Sequence, residues 1–178
     1  MTGIFQLRGG RSAGMAMAMA ALALLPGQSA LHAQGTSARF DPVAFFTGPT
    51  ASEGTLSQIL SSTKPTRVTT FGVRQANGDM VLEQDVKIGD QPVRHRVWRL
   101  RETSPGRYAG TISDAATDVT GRLEGNQLTL TYTMDNNLGV HQVITARPGG
   151  QVADNVMRIR RFGITVARLR ETIRKVKK

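Results

Sequence analysis

The sequence contains no cysteine. That excludes disulfides, a thiol nucleophile, cysteine-based zinc sites and a lipid-modified N-terminal cysteine. Histidine is nearly as scarce, with three residues (His32, His95 and His141), and none stands in a metal-ligand spacing. Aromatic residues make up 5% of the chain, and Trp98 is its single tryptophan. Long apolar runs are missing as well. Only Met15 to Leu25 is strongly hydrophobic, and it is shorter than the ~20 residues of a membrane-spanning helix.

That run follows a basic start (Arg8, Arg11) and precedes a small-residue stretch ending in Leu31-His32-Ala33. This is the three-part layout of a secretory signal peptide over residues 1–33. Cleavage is expected after Ala33, with a retained anchor helix as the alternative. The mature chain then keeps 145 residues (178 − 33), a length suited to one domain with a real core. The expected location is the periplasm, in soluble form.

The net charge of +10 is unevenly distributed. From Gln34 to Met157 there are 12 Lys+Arg against 12 Asp+Glu, a balance of zero. From Arg158 to Lys178 nine basic residues face Glu171 alone, which leaves +8 (9 − 1). Basicity therefore belongs to one terminal segment and does not point to a nucleic-acid-binding domain.

Turn signals recur about a strand apart at Asn77-Gly78, Gly89-Asp90, Pro105-Gly106, Gly125-Asn126, Asn136-Asn137 and Pro148-Gly149-Gly150. The segments between them are rich in Val, Thr and alternating residues, with no apolar stripe of helical period. Short antiparallel strands in a barrel or sandwich are expected. A two-residue loop at Gly89-Asp90 pairs residues whose numbers sum to 179. Glu83 then faces Arg96, Asp85 faces Arg94 and Val81 faces Trp98. The Asn77-Gly78 hairpin (sum 155) sets Val73 opposite Leu82. If that charged face is solvated, each pair contributes only about 0.2–1 kcal/mol. If it lines a cavity, Glu83, Asp85, Arg94, Arg96 and Trp98 form a ligand-binding network for a carboxylate or phosphate.

FDPVAFFTGPTASEGTLSQ, LEQDVKIGDQPVRHRVWRL, RYAGTISDA, GRLEGNQLTLTY and RIRRFGITV together resemble a bacterial envelope family, domain of unknown function thirty-eight thirty-three. The matching positions are Phe46 and Gly48, Gly54, Leu82-Gln84-Asp85, Arg96 and Trp98, Tyr108 and Gly110, Gly125-Asn126 with Tyr132, and Phe162-Gly163. The resemblance implies a lipocalin-like antiparallel β-barrel, here over residues 34–170, and supplies no catalytic residues. Many members are read as lipoproteins, a form this cysteine-free chain does not share.

His95 and His141 are better read as ordinary strand histidines, and no carboxylate pair, phosphate loop or metal set argues for an enzyme or a cofactor. The terminal segment is expected as a strand through about Leu169, followed by a basic tail over 171–178. Arg168, Arg170, Arg174, Lys175, Lys177 and Lys178 are candidates for docking on an anionic membrane or lipopolysaccharide. Two functions stay open: a non-catalytic binder of a small amphipathic or acidic ligand such as a lipid, or an envelope interaction protein with a filled barrel and a docking tail.

Overall fold

A computed structural model describes residues 40–177. The expected leader, the expected cleavage after Ala33 and Lys178 lie outside the described residues. A short helix α1 (Pro42–Phe46) leads into ten strands: β1 (Gly48–Gln58), β2 (Lys64–Arg74), β3 (Met80–Ile88), β4 (Arg94–Ser104), β5 (Arg107–Ile112), β6 (Val119–Glu124), β7 (Gln127–Thr133), β8 (Gly139–Ala146), β9 (Val152–Arg161) and β10 (Ile164–Lys175). Every strand pairs antiparallel with its sequence neighbour, and β10 returns to β1, closing the barrel. The expected antiparallel barrel is therefore present, built as an uninterrupted meander.

Loops 59–63, 89–93, 113–118, 134–138 and the turn at 162–163 gather at one end of the barrel; α1 and the remaining turns gather at the other. The sequence explains α1. The Asp41 side chain accepts from the Ala44 N–H at 3.0 Å as N-cap, and Pro42 occupies the first turn. Phe40, Phe45 and Phe46 are buried, with edge-on ring contacts at 5.6 and 4.9 Å. They close the floor of the barrel. Gly72 on β2 is required there, because a Cβ would lie 1.8 Å from the Phe46 carbonyl oxygen.

Two registers differ from the sequence reading, for one reason. The β2–β3 and β3–β4 connections span five residues each (75–79 and 89–93), not two. Asn77 Oδ1 accepts from the Asp79 N–H at 3.1 Å in the first loop. In the second, the Gly89 N–H donates to the Pro65 carbonyl at 2.8 Å. Leu82 consequently faces Trp98 and Gln84 faces Arg96, while Gly72, not Val73, faces Leu82. A slip of one residue moves side chains to the opposite face. Arg96 and Trp98 thus share the inner face with Met80, Leu82 and Val86, whereas Glu83 and Asp85 point outward.

The terminal segment differs too. β10 runs to Lys175, so 171–175 form a wall of the barrel where a basic tail was expected. Glu171 and Ile173 are buried inside.

Candidate functional site

Within the barrel lies a cavity of about 350 Å³, a small-molecule volume by the usual scale of ~300–1,000 Å³. A wholly filled barrel does not fit this space. Phe46, Met80, Leu82, Leu128, Leu130 and Met157 form much of its apolar wall. Polar groups interrupt that wall at mid-height, and they are ordered by one another. Trp98 donates its indole N–H to Gln84 Oε1 at 2.7 Å, and Gln84 Nε2 donates to Thr70 Oγ1 at 3.1 Å. The Trp98 ring meets Tyr132 edge-on at 5.4 Å. Arg96 Nη2 lies 2.9 Å from Asp114 Oδ2, which comes from the 113–118 loop.

Across the lumen, Glu171 accepts from Thr66 Oγ1 at 3.1 Å and from Asn155 Nδ2 at 3.2 Å. Burial pushes its carboxyl above the ordinary glutamate range, against these hydrogen bonds and the charge of Arg96. Burial also holds the Tyr132 hydroxyl up, to about 12. That hydroxyl is close enough to feel Arg96 but forms no well-aligned hydrogen bond. Four lining residues expose a buried polar atom with no partner: Arg96 Nε, Tyr132 OH, Gln142 Oε1 and Asn155 Oδ1. Buried polar atoms are normally satisfied, because leaving one bare costs about 1–3 kcal/mol. Their convergence on one cavity marks where a polar group would be received.

Of the five candidate cavity residues, Arg94, Arg96 and Trp98 line this space. Glu83 and Asp85 do not: they are exposed on the outer face, where Asp85 meets His95 Nδ1 at 2.9 Å. The carboxylates that do accompany Arg96 are Asp114, brought beside it by the β4–β5 hairpin, and Glu171, which lies far away in sequence. His141 also lies on the outer face, opposite Arg158. Among the described residues no group of three or more His, Asp or Glu could hold a metal ion.

The candidate docking cations separate as well. Arg168, Arg170 and Arg174 are exposed on the outer face of β10. Lys175 is engaged elsewhere, donating to the carbonyls of Ala44 and Phe45 at 2.9 Å and of Thr47 at 3.2 Å. It caps the C-terminal end of α1. Lys177 follows the strand at the floor end.

The family model described as "Protein of unknown function (DUF3833)" matches residues 19–175. No curated protein matches the sequence. Among solved structures, an S-type phycobiliprotein lyase from Guillardia theta is similar, with a TM-score of 0.60 at 8% identity over 76% of this chain and 91% of that one. A protein of unknown function from Nostoc punctiforme, of the DUF3598 family, has a TM-score of 0.52 at 10% identity, over 78% of this chain and 50% of that one. Similarity at these identities extends to the fold.

Proposed function

The chain belongs to the family described as Protein of unknown function (DUF3833), and from that premise, which assigns no activity, we propose that it is a non-catalytic binder of a small amphipathic ligand such as a lipid. The hydrocarbon part lies against the Leu and Met wall. A polar group sits beside Arg96, Gln142 and Asn155. One observation carries this reading: unpartnered buried polar atoms converge inside an otherwise apolar cavity.

Charge bookkeeping narrows the head group. Arg96 already has Asp114 as its counter-ion, so a fully ionised ligand would place a second anion near Glu171. A neutral group that both donates and accepts, such as a hydroxyl or a primary amide, fits better than the carboxylate or phosphate expected from the sequence, because Arg96 Nε offers a proton while Gln142 Oε1 and Asn155 Oδ1 can only accept one. Binding is favoured over catalysis because the described lining residues include no histidine, and the one lining serine, Ser52, is hydrogen-bonded to Glu171, a carboxyl whose pKa is raised by burial and which already accepts from Thr66 and Asn155. Its proposed site of action is the periplasm, a reading supported by the signal-peptide layout of residues 1–33.

Trp98 makes the test direct, since the chain's only tryptophan lines the cavity. Native mass spectrometry of the purified protein should show a co-purified small molecule. After its removal, titration with monoacylglycerols or fatty amides should shift Trp98 emission saturably. A protein that carries nothing and answers to no member of a neutral and acidic lipid panel is not a binder of this kind.

A further inference from the structure

The end of the barrel opposite α1 carries two adjacent tips, the 59–63 loop and the Phe162-Gly163 turn. They are tied together where the Ile59 N–H donates to the Val166 carbonyl at 3.0 Å. Leu60 and Phe162 crown them, and both stand almost wholly in solvent. Ile59 and Ile164 beside them are exposed as well. Leu60 and Phe162 also share an unusual backbone: φ is +57° at Leu60 and +50° at Phe162. The left-handed region suits Gly or Asn and disfavours bulky side chains. Two large apolar side chains are thus held in water, on backbones that would be more comfortable without them. Neither burial nor local conformation explains their presence, although the Arg161 guanidinium lies 5.5 Å from the centroid of the Phe162 ring.

Behind the tips stands a collar of exposed cations, Arg158, Arg160, Arg161, Arg168 and Arg170. None of them is in an ion pair among the described residues, unlike Arg67, Arg96, Arg101, Arg122 and Arg147. Arg158 and Arg168 even face each other across the β9–β10 ladder, a like-charge pairing that destabilises a sheet. An external anionic surface would relieve it.

We propose that this edge of the barrel docks on an anionic phospholipid bilayer, with Leu60 and Phe162 inserted at the interface and the arginine collar on the headgroups. Apolar side chains backed by cations are what such an interface recognises. Docking is one-sided, because the neighbouring 134–138 and 113–118 loops carry Asp135, Asp114 and Asp118. Gln58, Gln91, Arg94 and Asn136 line the cavity at this same end and are exposed, so the contact brings the cavity rim to the lipid. Membrane contact stands independently of the cavity's ligand, although it would supply an amphipathic one.

The test is co-sedimentation of the mature protein with phosphatidylcholine vesicles containing about a third phosphatidylglycerol, at low and high salt. The wild type should bind the anionic vesicles, weaken steeply with salt and ignore pure phosphatidylcholine. The double variant L60N/F162N should lose roughly tenfold or more of its binding while its melting temperature holds, because Asn tolerates both backbones. R158Q/R168Q should lose the salt-dependent part. A control pair on the barrel wall, F71S/V73S, removes exposed apolar surface elsewhere and should bind as the wild type does. Undiminished binding by L60N/F162N, or equal binding to neutral vesicles, overturns the proposal. Neither result touches the ligand titration of Trp98 in vesicle-free solution, so the two readings fail separately.

Discussion

The two ends of the barrel obey different rules. At the α1 end the helix is answered at both termini: Asp41 caps the first turn, Lys175 gathers three carbonyls at the last, and three phenylalanines are packed edge to face. At the far end, large apolar side chains stand in solvent on disfavoured backbones, beside arginines without counter-ions. One end is organised for stability and the other is not. Where a sequence forgoes easy stabilisation, selection for another task is the physical reading.

The sharpest way to break this contrast is to truncate one phenylalanine at each end. Phe45→Ala should lower unfolding free energy by about 3–5 kcal/mol, since a buried ring is lost; Phe162→Ala should change it by no more than ~0.5 kcal/mol. Equal effects in urea denaturation would erase the distinction. Between the ends, Arg96→Met strands Asp114 and should be destabilising by about 3 kcal/mol. Gln84→Leu should cost about 1–2 kcal/mol, because the buried Trp98 N–H loses its acceptor, and it should alter Trp98 emission. Glu171 sharpens the picture through pH. Its folded-state pKa is raised by burial, so its contribution is fully present below 4.5 and is lost as pH climbs through the higher folded value. Glu171→Gln should therefore gain on the wild type in thermal melts as pH rises, and match its pH dependence below 4.5. Least affected should be Arg101→Gln, which breaks a surface pair with the half-buried Asp79 and should barely move the melting temperature.

How much of this was legible in the sequence differs by element. The barrel was, because Asn77-Gly78, Pro105-Gly106 and Gly125-Asn126 mark real turns, with Gly78, Gly106 and Gly125 all at positive φ. The segment between the Asn77-Gly78 and Gly89-Asp90 signals does hold one strand, Met80–Ile88. Register was not, because turn residues reveal where a hairpin bends but not how many residues its loop holds. That single uncertainty exchanged the partners of Arg96. Glu171 reaches the cavity through barrel closure, a long-range event with no local signature, whereas Asp114 meets Arg96 across the adjacent β4–β5 hairpin. α1 carried a signal that was passed over, the Asp41-Pro42 pair of N-cap and first-turn proline. β9 escaped notice because its outward face is arginine-rich toward the tip, which masked the inward Ala153, Asn155, Met157 and Ile159.

Closure of the ring by pairing the first strand with the last has a consequence for biogenesis. A nascent chain that stops anywhere before Ile164 would hold two raw sheet margins, each able to recruit a second copy. The native state is then reachable only after synthesis of almost the entire polypeptide, with its most sequence-distant contact among the last formed. Until Ile164–Lys175 has been made, the ring has no closed form to adopt.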